Sequence, residues 1–216
     1  MNAPTPSIRL DSGLAIGYAA PLASFGKSVE LGGGTHFLLA RNGRGKSTLL
    51  RTIAGSLKKL SGNFSTEGFM QYLPEDMRFD AEVTPKTIFK TLLPKASHAA
   101  AFELAERIEL DVNKLYGRLS TGNRRKTALI MAEHSIKADR GNILLLDEPF
   151  SGLDAFARAT FEEMWEKSSA NVLRLVSCHP DYDSMAMPSV LLIEGQGVSH
   201  HAAENQNWST LKSLLN

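Results

Sequence analysis

The sequence FLLARNGRGKSTLLRTIAG, at residues 37–55, constrains the fold more than any other segment. An apolar run ends abruptly in two glycines and a lysine, and an apolar pattern with helical spacing follows. Gly43 and Gly45 allow the backbone to curl so that successive N–H groups point inward, and Lys46 adds a positive charge. This pattern predicts a buried strand, a phosphate-binding turn and a helix that begins near Lys46 and ends at Gly55. The hydroxyl group of Ser47 can then bind magnesium.

The composition is that of a soluble globular domain, with 43% hydrophobic and 22% charged residues among 216. We therefore expect a single domain at residues 1–216. The 24 basic and 23 acidic residues nearly cancel, so no large electrostatic field favours nucleic acid as a partner. The only cysteine, Cys178, excludes an internal disulfide and fits a reducing compartment. No stretch approaches the roughly 20 apolar residues of a membrane span, so a membrane role requires a partner.

Short apolar runs alternate with helical patterns along most of the chain. Between residues 84 and 137 the pattern is helical, with Thr84 and a serine at residue 120 as predicted caps. Strands are predicted at residues 14–19, 24–31, 35–40, 69–74, 142–146 and 171–177, with two more around 190–198. A helix is predicted from Asp154 to about Lys167. This alternation predicts an α/β fold with a mainly parallel sheet covered on both faces, and a helical subdomain at about residues 76–140.

The phosphate-binding pattern departs from its usual form at one position, where Ala40 replaces a glycine. If residue 40 has a negative φ angle, alanine fits with little strain. If it requires a positive φ angle, alanine costs on the order of 1 kcal/mol or more.

The segment NILLLDEPFSGLD carries the second candidate for chemistry. Four apolar residues lead to Asp147 and Glu148 at the carboxyl end of a buried strand, where ligands of open α/β sheets bind. Asp147 can hold the water shell of magnesium. Glu148 can orient or deprotonate the water that attacks a γ-phosphate, because phosphoryl transfer depends mainly on positioning and charge neutralisation.

The ordered set of ARNGRGKST, YLPED, LSTGNRRKTALIMAE, ILLLDEP, SGLD and SCHP resembles the nucleotide-binding subunit of ATP-binding cassette (ABC) proteins, of a compact exporter-like type. The resemblance covers almost the whole chain. It implies a P-loop NTPase core with a mainly parallel sheet, a small antiparallel β subdomain and a helical subdomain. It also implies ATP and Mg²⁺ as ligands, a head-to-tail pair of cassettes, and a membrane-embedded partner driven by hydrolysis.

The resemblance assigns roles residue by residue. Glu148 would be the catalytic base, and His179 would contact the γ-phosphate. Asp154 would join the two active sites of the pair, although locally it is also a plausible helix cap. The remaining ligands would be the magnesium residues Ser47, Glu75 and Asp147, and the ATP-binding residues Tyr18, Asn42, Gly43, Arg44, Gly45, Lys46, Ser47 and Thr48. Tyr18 would stack on adenine, but a tyrosine in a strand can equally serve packing.

Two segments depart from the family pattern. In LSTGN, Ser120 and Gly122 are retained, Thr121 replaces a glycine and Asn123 replaces a glutamine. These three residues would contact the partner's ATP, whereas the local alternative is simply a capped helix start. In MQYLPED, alignment on YLP places Glu75 at the usual glutamine position, and Gln71 falls earlier, within the strand.

These features predict an ATP-hydrolysing subunit of an ABC transporter, on the cytoplasmic face of a membrane, with a separate transmembrane permease and a second cassette. Export is preferred over import, and no nucleic acid partner is expected. The alternatives are a soluble non-transport ABC ATPase and a weakly hydrolysing ATP-sensing module. The adjacent histidines near the C-terminus could bind metal, but a solvated tail followed by a short amphipathic helix is favoured.

Overall fold

The computed structural model describes residues 5–168, 170–178, 185–204 and 206–214. Six α-helices lie in this part of the chain, together with short 3₁₀ turns at Lys95–Ser97 and Tyr116–Arg118. The helices are α1 Lys46–Ile53, α2 Pro85–Leu92, α3 His98–Arg107, α4 Thr121–His134, α5 Ala155–Glu166 and α6 Trp208–Lys212. The strands are β1 Ser7–Leu10, β2 Ala15–Gly17, β3 Pro21–Phe25, β4 Val29–Leu31, β5 Gly34–Ala40, β6 Phe64–Glu67, β7 Phe69–Leu73, β8 Asn142–Leu146, β9 Val172–Cys178, β10 Ser189–Glu194 and β11 Gly197–Ala202.

An eight-stranded sheet forms the centre of the fold, in the order β2-β3-β11-β10-β5-β9-β8-β7. The strands β10, β5, β9, β8 and β7 pair in parallel. Strand β11 is antiparallel to its neighbour β10, and β2 is antiparallel to its neighbour β3. A separate antiparallel sheet has the order β4-β1-β6. The mainly parallel core and the small antiparallel sheet confirm the predicted fold class.

Hydrophobic side chains cover both faces of the large sheet, because consecutive residues of a strand point to opposite faces. In β8, Ile143 and Leu145 pack in one core cluster with α1, and Leu144 and Leu146 pack in the other with α4 and α5. All five residues of β8 are therefore buried, and the strand holds the two acidic residues that follow it at a fixed position.

The helices between residues 76 and 140 have the predicted caps. The Thr84 hydroxyl accepts a hydrogen bond from the Thr87 N–H group, and the Ser120 hydroxyl accepts one from the Asn123 N–H group. Helices α2, α3 and α4 contact one another and contribute to the same hydrophobic cluster. The exact boundaries of a helical subdomain stay a prediction.

Two local predictions were wrong. Residues 24–31 are not one strand, because the chain turns at Gly26 and sends β3 and β4 into different sheets. His200 and His201 lie in β11 rather than in a solvated tail.

Across the described ranges, no helix combines the length and hydropathy that a membrane crossing requires.

Candidate functional site

The turn between β5 and α1 forms a cradle for an anion. Gly43 and Gly45 have φ angles of 75° and 107°, in the left-handed region that favours glycine. Gly45 is the N-cap of α1 and supplies no side-chain hydrogen bond, and the first helical turn contains no acidic residue. The positive end of the helix dipole is therefore left for a negative ligand, and these features fit a phosphate group.

Ala40, where the family pattern has a glycine, is the last residue of β5 and is buried. Within the described residues, the only side-chain-bearing positions with a positive φ angle are Glu109 and Glu148. Alanine therefore occupies position 40 without the strain that a positive φ angle would impose.

Lys46 connects the phosphate loop to the end of β8. Its Nζ atom lies 3.2 Å from Oε1 of Glu148 and donates a hydrogen bond of 3.3 Å to the Ala40 carbonyl oxygen. The side chain of Lys46 is only 8% exposed and that of Glu148 only 13%. The contact places the predicted phosphate-binding cation directly beside the predicted catalytic base.

Asp147 is buried and is held by two hydroxyl groups. Ser177 Oγ donates to Oδ1 at 2.7 Å, and the Tyr72 hydroxyl donates to Oδ2 at 3.2 Å. The same Ser177 Oγ accepts a hydrogen bond of 2.8 Å from the Glu148 N–H group. This bond helps to hold Glu148 in its left-handed conformation, with a φ angle of 47°.

Ser177 and Tyr72 were not recognised as site residues in the sequence. The signal was present for Tyr72, because the alternation in FMQYLP places it on the face of the sheet that packs against α1. The Tyr72 hydroxyl is protonated at neutral pH and can donate to Asp147, and burial raises its pKa further above the ordinary tyrosine value of 10.0. Arg51 on α1 also interacts with this hydroxyl, which raises the pKa of Arg51.

The donor groups suit magnesium, which prefers oxygen ligands. The Asp147 carboxylate follows β8, and Ser47 and the buried Thr48 lie in the first turn of α1. Strand β8 ends and helix α1 begins at the same edge of the sheet, because β5, β9 and β8 are parallel.

Glu75 and Gln71, the two candidates for the family glutamine, lie in different surroundings. Glu75 is exposed in the turn after β7, where the Arg125 guanidinium donates to the carbonyl oxygens of Pro74 and Glu75. Gln71 lies on the face of β7 opposite α1, beside a cavity of about 30 Å³ that Met131 and Leu144 also line. Magnesium binding by Glu75 stays a prediction.

The signature segment packs against the SGLD loop of the same chain. A Cβ atom added to Gly122 would lie 2.4 Å from the carbonyl oxygen of Gly152, so a larger residue there would force the backbone to shift. Lys126 Nζ lies 2.7 Å from Oδ2 of Asp154. Asp154 also caps α5, since its Oδ1 accepts a hydrogen bond of 2.8 Å from Ala157 N–H. The predicted cap is thus present, while the role of Asp154 between two active sites stays a prediction.

Tyr18 lies in the turn between β2 and β3, and 60% of it is exposed. This hairpin flanks the phosphate loop, because a Cβ atom on Gly45 would lie within 3.6 Å of Ile16 and Leu22. The position suits contact with a base, although the contact itself stays a prediction. His179 lies outside the described residues.

The sequence model of the family described as "ABC transporter" matches residues 29–151. The chain belongs to the ABC transporter family. The match covers the phosphate loop, the signature segment and the acidic pair after β8. The roles of individual residues are not tested by it, and they remain predictions.

Curated ABC relatives match part of the chain. The ABC transporter ATP-binding protein YtrB of Bacillus subtilis (strain 168) is 33% identical over 135 residues, which is 56% of this chain and 45% of the relative. The aliphatic sulfonates import ATP-binding protein SsuB of Albidiferax ferrireducens is 31% identical over 172 residues, or 73% of this chain and 60% of the relative. The chain thus spans roughly half the length of these relatives.

A solved structure described as the ATP binding subunit of an ABC transporter has a TM-score of 0.73. The match covers 97% of this chain and 98% of that chain, at 19% sequence identity. This similarity confirms the ABC ATPase fold that the motifs predicted.

Proposed function

We propose that this ABC protein binds ATP with magnesium and hydrolyses it, as the ATP-binding subunit of a transporter whose permease is a separate chain. The observation that carries the proposal is the contact between Lys46 and Glu148. This contact places the lysine that would bind phosphate beside the carboxylate that would act as base. Both lie at the N-terminus of α1, where the phosphate groups of ATP would bind.

Each residue of the site has a task that its contacts support. Lys46 and the N–H groups of the phosphate loop balance the charge of the phosphates. Asp147 is buried and doubly hydrogen-bonded, so its carboxylate is held in one orientation. Glu148 is the base that takes a proton from the attacking water. Magnesium, when bound near Ser47 and Asp147, neutralises phosphate charge.

A second cassette is part of the proposal. Ser120 is exposed at the N-terminus of α4, where its hydroxyl caps the helix. A head-to-tail pair would place Ser120, Gly122 and Asn123 of one copy against the ATP of the other. The permease would hold this pair at the cytoplasmic face of a membrane.

Export remains a prediction, and the SsuB relative, which is named an import protein, favours the opposite direction.

Replacing Glu148 with glutamine tests the assignment of the base. We expect Glu148→Gln to reduce phosphate release at least about 100-fold while ATP still binds, because only the proton acceptor is removed. Glu103→Gln, an exposed residue of α3, is the matched control and should keep wild-type turnover. Phosphate release by Glu148→Gln at the wild-type rate would refute Glu148 as the base.

Copurification tests the permease separately. The tagged chain, extracted from its native membranes in gentle detergent, should retain an integral membrane protein in stoichiometric amount. Recovery with a soluble partner or none would reject the permease and leave the ATPase assignment to the phosphate-release assay.

A further inference from the structure

Three polar side chains on adjacent strands form a continuous hydrogen-bonded chain at the end of the sheet away from the phosphate loop. His36 Nδ1 lies 2.7 Å from Ser189 Oγ, and the same oxygen lies 2.9 Å from His200 Nε2. His36 belongs to β5, Ser189 to β10 and His200 to β11, which are neighbours in the sheet. From His36 to Ala40, β5 rises roughly 13 Å, so this cluster is separate from the ATP site.

The three side chains point to the same face of the sheet. Leu38, Leu191 and Val198 belong to one core cluster, and each lies two residues from one member of the trio. The trio therefore shares a face because of strand register, and both imidazole rings contact the same oxygen atom.

The hydrogen bond to Gly32 fixes the protonation pattern of His36. The Gly32 carbonyl oxygen lies 2.9 Å from His36 Nε2 and can only accept a hydrogen bond, so the ring proton is on Nε2. In the neutral ring, Nδ1 then directs its lone pair toward Ser189. A histidine that donates one ring N–H group to a backbone carbonyl while its other nitrogen faces inward has the arrangement found in metal-ligating histidines.

We propose that His36 Nδ1 and His200 Nε2 bind a divalent transition metal ion of the Zn²⁺ and Cu²⁺ class, with Ser189 between them. Imidazole nitrogens suit these ions, and water can complete the coordination. His200 is exposed, so its ring proton can move to Nδ1 and leave Nε2 free to bind. A groove of about 530 Å³ beside His200, lined also by Glu30 and Ser199, provides a route from solvent.

The neighbouring histidine provides a matched control. His201 follows His200 in β11, so its side chain points to the other face of the sheet, where it lies 2.8 Å from Ser199 Oγ. A change at His201 therefore alters the histidine content of the strand without removing a proposed ligand.

The experiment is metal titration of the nucleotide-free, untagged protein, with ZnCl₂ in calorimetry and CuCl₂ in electron paramagnetic resonance. We expect about one equivalent of metal, and copper spectra with coupling to imidazole nitrogen. His36→Gln and His200→Gln should each weaken binding at least about tenfold, and His201→Gln should not. Absence of stoichiometric binding, or equal binding by the wild type and both glutamine variants, would overturn the site.

A gain of affinity provides a test that a folding defect cannot imitate. Ser189→Cys would place a thiolate between the two imidazoles, and zinc prefers such ligands. We expect it to bind zinc more tightly than Ser189→Ala by about tenfold or more. Equal zinc affinity of the two variants would contradict the placement of residue 189 between two ligands.

Discussion

The ammonium group of Lys126 lies 2.7 Å from Oδ2 of Asp154, and this contact joins α4 to the N-cap of α5. The same ammonium donates a hydrogen bond of 2.8 Å to the carbonyl oxygen of Ile108, at the end of α3. One buried cation therefore holds together the signature helix, the preceding helix and the SGLD loop.

A double-mutant cycle with Lys126→Met and Asp154→Asn measures this connection. Asparagine still caps the helix and methionine keeps the apolar stem, so the cycle isolates the charge pair. We expect a coupling of about 0.5–1 kcal/mol in urea unfolding, since Asp154 is 55% exposed and water screens the pair.

Hydrogen bonds from Lys126 and the Ala157 N–H group lower the pKa of Asp154. The coupling should therefore be present above the ordinary aspartate pKa of 3.8 and disappear as the pH falls below it. A coupling that persists unchanged into strong acid would contradict the ion pair.

Gly122→Ala should disturb the contact between α4 and the SGLD loop. The added Cβ atom would lie 2.4 Å from the Gly152 carbonyl oxygen, so the backbone must move. We expect a loss of about 1–3 kcal/mol in the free energy of unfolding and a lower ATPase rate. Gly26→Ala is the control, because its Cβ atom meets nothing within 4 Å and its φ angle lies outside the left-handed region. Equal stability of the two variants would show that the close approach is unimportant.

Ser177→Ala removes the hydroxyl that holds Asp147 and the Glu148 N–H group together. The buried N–H group loses its acceptor, which costs about 1–3 kcal/mol. We expect kcat to fall about tenfold, with a smaller effect on the KM for ATP, because the acidic pair loses its orientation. Steady-state phosphate release measures both constants. Ser135→Ala, which removes the hydrogen bond that this residue at the C-terminal end of α4 donates to the Met131 carbonyl oxygen, should keep the wild-type kcat.

Arg174→Met should destabilise the fold strongly. Arg174 in β9 forms two hydrogen bonds, of 2.9 and 2.6 Å, to the Glu133 carboxylate of α4, and both side chains are only 3% exposed. In the variant the buried Glu133 carboxylate has lost its cation, and among the described residues it keeps the hydrogen bond from the Trp165 indole N–H group. We therefore expect the free energy of unfolding in urea to fall by about 3–5 kcal/mol. Arg140→Ala breaks an exposed pair with Asp139 and should change stability by less than about 0.5 kcal/mol. A similar small effect for Arg174→Met would mean that the buried pair contributes little.

The thiol of Cys178 should be unreactive in the native protein. The residue is buried at the end of β9, and burial raises the pKa of its thiol well above the ordinary value. Since the thiolate is the nucleophile, iodoacetamide at pH 8.5 should label the native chain much more slowly than the urea-unfolded chain. Mass spectrometry counts the modification directly, because the sequence contains one cysteine. Equal labelling rates would show that the end of β9 opens readily.

Local patterns in the sequence were sufficient to predict the phosphate loop, the caps of α2, α4 and α5, and the position of Asp147 and Glu148 at the end of β8. Each of these features depends on residues that are close together in the chain. They are a glycine that permits a positive φ angle, a side-chain oxygen three residues before the N–H group that it caps, and an apolar run of strand length. The tertiary structure decided which strands pair. It brought Ser177 and Tyr72 to Asp147 from neighbouring strands, and it placed His36 and His200 on either side of Ser189. No short-range pattern contains these contacts, because they follow from strand order and register, which are set by packing across the whole sheet.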